Sequence, residues 1–219
     1  MADHSAEVSQ PRTEINRLKH KVRHELSEVH AILDAATVGH LSWVEEDFPY
    51  IIPTAYVRDG DSILIHGSTG AGGLRAAAAG SPVAFAVTIL DGYVLARSAF
   101  ESSMQYRSVV VHGSCTVVQG AEKSRALVTI TEGLFPGRSS ELRLSTAKEE
   151  AATLMLKLTI EKWSCKVSAA EPEDLPEDMD AQVWAGVVPV RTTLGTPVPA
   201  SNLAQHLHTP PPYLAQWTR

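Results

Sequence analysis

The run Val109-Val110-Val111, resumed after Gly113 by Thr116-Val117-Val118, constrains this chain more than any other feature. β-Branched residues lose side-chain freedom in a helix but fit a pleated, half-buried surface, so Ser103 to Val118 reads as one long strand. Gly113 falls inside it, where a strand usually bulges, bends or admits another backbone. The polar entrance Gln105-Tyr106-Arg107-Ser108 sets a planar cation and two hydroxyls beside an otherwise apolar sheet. That mixture suits a bound anionic or aromatic ligand, and it equally suits a core strand with a solvated end.

Short strands with turn signals surround it. Leu26, Val29, Ile32 and Leu33 recur at helical spacing, predicting a helix over His24 to Ala36. Val38 to Trp43 begins a strand, Glu45-Glu46-Asp47 is a charged turn, and Phe48 to Val57 is extended. Pro53 has no N–H for a ladder, which places an edge or a bulge there. Arg58-Asp59-Gly60-Asp61 turns the chain into Ser62 to His66. Val83 to Leu90 reads as a fourth strand, Asp91-Gly92 as a hairpin turn, and Tyr93 to Ser98 as a fifth. Ala121 to Leu134 is helical, Thr146 with Glu149 suits a capping box, and Met155 to Trp163 reads as one last strand. Six or seven strands with few helices predict a mainly β domain with peripheral helices, closed or sandwiched rather than βαβ.

Composition narrows the partners. With 44% hydrophobic and 20% charged residues and a net charge of -6, the chain has the makeup of a globular protein without global attraction to nucleic acid or anionic membrane. The apolar run Ala76 to Leu90 is broken at Gly80, Ser81 and Pro82, too short to span a bilayer. No apolar signal core opens the sequence, which sets the expectation of a cytoplasmic protein with Cys115 and Cys165 reduced and buried. Residues 1–23 form a leading basic arm, with Arg12, Arg17, Lys19, Lys21 and Arg23 against Glu14. Residues 24–168 hold the strands. Residues 169–219 begin with six acids and two prolines over 171–180, a linker by composition, and then offer Val183 to Val190 as an apolar segment able to dock.

Candidate chemistry concentrates between His66 and Ala79, where a glycine-rich loop opens a helix. Backbone N–H groups at a helix start receive phosphate, with Ser68 and Thr69 as hydroxyl donors and Arg75 as a charge. The segment matches neither the P-loop nor the Rossmann spacing, and a loop that merely starts a helix has the same composition. His66, His40 and His112 lie in predicted strands without metal-ligand spacing, so no metal is expected. No nucleophile elbow or Ser/His/Asp order stands out.

Pro49 to Tyr56, Ile65-His66-Gly67-Ser68, Asp91 to Phe100 and Ser103 to Val110, in this order, resemble the pyridoxamine-phosphate-oxidase-like split-barrel flavoproteins. The Tyr106-Arg107-Ser108-Val109-Val110 stretch points to the branch containing nitroimidazole-resistance reductases. The resemblance implies a six-stranded antiparallel split β-barrel of FMN-binding type, a homodimer with FMN at the subunit interface, and a flavin-dependent oxidoreductase reducing a small planar acceptor such as a nitroaromatic. It implies that Pro53, Thr54 and Ala55 flank the ring system, with His66, Gly67, Ser68 and Thr69 nearby. Ser103, Met104, Tyr106 and Arg107 are implied to lie close to the cofactor or across the dimer seam. His66 and Tyr106 are then the candidates for proton delivery. Where the branch carries a cationic pair ahead of the helix, this chain has Ala71-Gly72-Gly73, leaving Arg75 as the substitute. A haem or a deazaflavin is the alternative occupant, on a non-enzymatic carrier or sensor, with His66 as the ligand to suspect.

Overall fold

The computed structural model describes residues 13–217. Most of the polar leading segment, Arg12 included, lies outside the described residues. The elements run β1 (Val22–Arg23), α1 (Leu26–Asp34), β2 (Val38–Glu45), β3 (Phe48–Asp59), β4 (Ser62–Ser68), α2 (Gly72–Ala78), β5 (Pro82–Leu95) and β6 (Ser103–Val117). They continue as α3 (Gly120–Leu134), α4 (Ala147–Ala152), β7 (Thr153–Thr159), β8 (Lys162–Ser168) and β9 (Gly186–Pro189).

Six strands close on themselves. β2 pairs with β3, β3 with β4, β4 with β7, β7 with β6, β6 with β5, and β5 returns to β2, every pair antiparallel. This ring is the mainly β, six-stranded split barrel that the sequence predicts. β8 runs outside it along β6, β1 adds to β8, and β9 lengthens the sheet on β5. The last two residues of the basic arm therefore join the sheet, and Arg23 ion-pairs with Glu28 at 3.2 Å.

Gly113 marks the corner of β6. Up to His112 its free edge pairs with β8, and from Cys115 to Val117 the same strand pairs with β7. A Cβ on Gly113 would lie 3.0 Å from Leu158 Cδ1, the close approach that the interrupted valine run signals. Pro53 sits in the half of β3 that pairs only with β2, an edge as its missing donor requires.

Two expectations are corrected. Asp91-Gly92 is not a hairpin turn: Pro82 to Leu95 is one strand with a bulge between Leu90 and Gly92. β6 on one edge and β9 on the other hold the chain extended there. Reversal comes later, at Ala96 to Ser102, where the Ser102 hydroxyl donates to Ser98 O at 2.8 Å and the Glu101 N–H to Ser98 Oγ at 3.2 Å. Likewise Met155 to Trp163 is not one strand but the end of β7 and the start of β8, reversing at Ile160-Glu161.

The interior is filled by large side chains from alternate positions of the ring. Leu41, Tyr56, Ile63, Ile65, Phe85, Val87, Val109, Val111 and Leu158 are buried, and Val29, Ile32 and Leu33 of α1 join them. The Tyr56 hydroxyl donates to Leu33 O at 2.6 Å, tying α1 to the barrel. Tyr56 also meets Phe85 edge-on, with ring centroids 5.0 Å apart. A second cluster lies under α3, around Leu64, Met155, Ala126 and Ile130. Cys115 and Cys165 are free and buried. Thr146 and Glu149 form the expected capping box on α4. Among the described residues no helix is long and apolar enough to cross a membrane.

The chain after β8 is anchored rather than free. Asp174 accepts from the Arg97 N–H at 2.5 Å and from its guanidinium at 2.6 Å, and β9 then docks on β5 as its apolar composition predicts. Further on, the Trp217 indole donates to Pro136 O at 3.0 Å, fastening the tail to the end of α3.

Gly39 is a tight point of the core: a Cβ there would come within 2.2 Å of the Phe85 ring. Gly39→Ala is expected to destabilise the fold by about 1–3 kcal/mol through overpacking. Urea unfolding checks this, and an unchanged midpoint would show that Phe85 moves aside without cost.

Candidate functional site

Register determines what the outer surface of the ring offers. Residues directly opposite one another on paired strands project to the same face. Leu41, Phe85, Val109 and Val111 point inward, so the alternate residues point out. One outward row runs Pro53, His40, Ala86, Val110, Ser164, and the next runs Ile51, Ser42, Ala84, His112, Lys162. Beside them Thr88, Ser108 and Lys166 line up, followed by Tyr106 opposite Ser168. The middle of this face is therefore made of Ala, Ser, Thr and Val. It is a flat shelf, edged by prolines and Ile51 on one side and lysines on the other, with two histidines and a tyrosine standing on it. Phe48, Tyr50 and Ile51, exposed by 68%, 46% and 64%, add apolar surface along the β2–β3 hairpin.

The sequence-predicted site residues fall into three groups. Pro53 and Ala55 lie at the edge of the shelf on β3, with Thr54 between them pointing to the opposite face. His66, Gly67 and Ser68 end β4, which pairs with β3 beyond Tyr56, so the two groups are neighbours on the barrel wall. His66 is partly buried and its Nδ1 is enclosed without a hydrogen-bond partner. Burial pushes its pKa below the ordinary 6.5, so the ring stays neutral at pH 7.

The loop to α2 is already partly satisfied. The Thr69 N–H donates to Ala152 O at 3.1 Å, that of Gly70 to Ser68 Oγ at 3.1 Å and that of Ala71 to Ser68 O at 2.9 Å. Only the first amides of α2 remain for an anion. Arg75 is exposed one helical step further on and makes no ion pair among the described residues.

Ser103 to Arg107 begin β6 at the far end of the sheet. Ser103 and Met104 pair with Val94 and Tyr93, beyond the bulge, and are exposed. Tyr106 stands on the shelf. Arg107 points the other way and is held by Asp91 through two bonds of 2.9 and 2.8 Å, which raise its pKa further. Its charge is thus committed to Asp91, and the bulge at Asp91 has a partner. Within one chain β6 lies across the shelf from the β3–β4 group, with β2 and β5 between them.

The spacing of His40 and His112 matches no metal motif. Alternation along β2 and β6 was the signal that would have placed them on one face.

The family model of pyridoxamine 5'-phosphate oxidase matches residues 25–167. The chain belongs to the pyridoxamine 5'-phosphate oxidase family. Among solved structures it is similar to a FAD and heme binding protein from Mycobacterium smegmatis, at 41% identity and a TM-score of 0.87, over 90% of this chain and 96% of that one. It is also similar to the flavocytochrome Anf3 from Azotobacter vinelandii, at 32% identity and a TM-score of 0.89, over 95% of this chain and 97% of that one. A protein assigned to 5-nitroimidazole antibiotic resistance in Bacteroides thetaiotaomicron shares the fold, at 17% identity and a TM-score of 0.57, over 67% of this chain and 86% of that one. No curated protein matches by sequence.

The neutral state of His66 carries a pH signature. A histidine whose folded pKa is depressed contributes stability that is present above its unfolded value and lost as pH falls through the folded one. The stability difference between wild type and His66→Gln is therefore expected to shrink as pH is lowered from 7 through 5. A difference independent of pH, or an NMR titration midpoint at or above the ordinary 6.5, would contradict the burial argument.

Proposed function

We propose that this protein binds a flavin together with haem and passes electrons between them and a small planar acceptor. One observation carries the reading: the two similar proteins named for flavin with haem, or as a flavocytochrome, match almost the whole chain at 41% and 32% identity. The shelf agrees with it. A surface of Ala, Ser, Thr and Val lets a flat ring system approach, and apolar edges and neighbouring hydroxyls suit both cofactors.

Bound flavin supplies hydride and single-electron chemistry, and haem supplies single-electron chemistry; the protein contributes position and electrostatics. Pro53 and Ala55 present the edge of the flavin surface, with His66 beside them on β4. His66, neutral at pH 7, accepts or returns a proton there, and the Tyr106 hydroxyl holds one at the far end of the shelf. Arg75 and the open amides of α2 would hold the flavin phosphates. With three loop amides already bonded and no cation at Ala71-Gly72-Gly73, this arrangement favours FAD, whose bridging pyrophosphate spreads its charge, over the terminal phosphate of FMN. A shelf on one barrel is a single wall, so a second copy of the chain facing it completes the slot, giving the homodimer that the resemblance implies. Ile51 and Val44, exposed on the shelf side of the β2–β3 hairpin, extend the face available to that copy.

The test is cofactor titration of the stripped protein with FAD, FMN and haemin, followed by visible spectroscopy, with a nitroaromatic as the acceptor for turnover. Saturable flavin and Soret bands are expected, and FAD should outcompete FMN. Arg75→Ala is expected to weaken flavin binding about tenfold or more, the loss of one charge-assisted contact. An unchanged dissociation constant would remove Arg75 from the phosphate site, and a protein that binds neither cofactor would overturn the reading.

A further inference from the structure

The shelf carries exposed apolar surface at both of its ends, and the two ends lie far apart along the strands. At the first end the β2–β3 hairpin shows Val44 and Ile51 on the shelf side. Beside them opens a cleft of 610 Å3, with Val44 and Pro49 on one wall, the turn between β7 and β8 on the other and the start of β5 beneath. Glu161 and Lys162, of opposite charge, both line it, so the cleft selects no ion.

The second end lies beyond the ring. From Ala84 to Tyr93 β5 rises roughly 30 Å. Past the bulge between Leu90 and Gly92 it runs on between β9 and β6 as a three-stranded extension. Val188, Tyr93 and Met104 stand opposite one another across these strands, exposed by 45%, 47% and 48%. Met104 is two residues from Tyr106 on β6, which puts the row on the shelf side. Leu95 follows on the same side of β5, and Trp184, 67% exposed, lays its indole where a side chain on Gly186 would stand. A contiguous apolar patch of this kind marks a surface that a partner covers.

Between the two ends the shelf is made of small residues. An isologous contact sets one surface of a subunit on a different surface of its copy, and the reverse contact follows by symmetry. A two-fold axis in the plane of the shelf, across its middle and at right angles to the strands, exchanges the ends. Each hairpin then meets the other copy's extension, and both apolar ends are covered in both subunits. The low Ala86, Thr88 and Ser108 let the two sheets approach. A second copy thus matches both ends with surfaces already present in the chain.

We propose that a second copy docks end for end on the shelf, with Trp184, Tyr93 and Met104 of one subunit seated on Val44, Pro49 and Ile51 of the other, and with the Trp184 indole closing the cleft. The proposal rests on the reading that a second copy completes the flavin slot, and it assigns the contacts. It also gives the segment after β8 a purpose: Asp174 on Arg97 and β9 on β5 hold Trp184 at the extension.

The experiment is size-exclusion chromatography with light scattering on the full chain: wild type, Ile51→Glu, Trp184→Lys, and the two variants mixed. Thermal unfolding shows that each is folded, and an FAD titration runs alongside. The wild type is expected to be a dimer, and each variant alone to dimerise about tenfold or more weakly, because each buries an unpaired charge at both contacts. Mixing should restore the dimer, since one contact then pairs the introduced carboxylate with the introduced ammonium and the other keeps Ile51 on Trp184. Should Trp184→Lys not fold, Val188→Lys takes its place in the same mixture. Variants that dimerise as tightly as the wild type overturn the proposal, as does a mixture no tighter than its parts. A wild type that binds FAD as a monomer overturns it together with the second-copy reading. A dimer that shows the expected pattern without binding FAD upholds the end-for-end contact while the flavin reading falls.

Discussion

Closure of the ring through β6 is the constraint on which the rest depends. β6 uses one edge for β5 along its whole paired length, and divides the other between β8 and β7. Only Cys115 to Val117 reach β7, so three residues complete the circle. That change of neighbour falls across Gly113 and Ser114, and Gly113 has Leu158 packed where a side chain would stand. Splitting the β7–β8 hairpin across the two halves of the barrel follows directly, since β7 must enter the ring while β8 stays outside.

A closed ring of six strands has a small bore, and its contents determine the outside. Phe85, Tyr56 and Leu41 occupy the interior, and Gly39 has no side chain because the Phe85 ring takes that volume. With bulk spent inward, the strict alternation of β2, β5 and β6 leaves Ser42, Ala84, Ala86, Thr88 and Ser108 outward. The flat shelf is therefore the reverse side of a well-filled core. Helices cannot cover it, since α1 and α2 contribute to the core and α3 lies on the other cluster under Leu64 and Met155.

Most of the barrel was legible in the sequence because its signals are local. The valine run, the edge proline, the apolar alternation and the capping box each declare themselves within a few residues. Asp91-Gly92 misled for a physical reason: the dipeptide has the composition of a tight turn, and what keeps it extended is remote, with Arg107 and Gln105 on one side and β9 on the other. The β7–β8 reversal was missed because Ile160-Glu161 carries no glycine, proline or asparagine. The site was legible only as segments. Pro53 to Ala55 and His66 to Ser68 are neighbours on the barrel wall, but Arg107 is spent on Asp91, and the loop amides on Ser68 and Ala152, through contacts that are remote in sequence.

The histidines show the difference between a residue type and its position most sharply. His66 and His112 both sit in strands, both face outward, and neither belongs to a ligand motif. His66 ends β4 next to a loop that folds back on it, so one nitrogen is enclosed and burial keeps the ring neutral, a state suited to handling a proton. His112 sits between Ala84 and Lys162 on the long central strand, with a small residue as its neighbour on β5. The opposite character of these two environments follows from where β4 and β6 lie in the ring: one strand ends at the wall's rim under a helix-bearing loop, and the other runs through the exposed shelf.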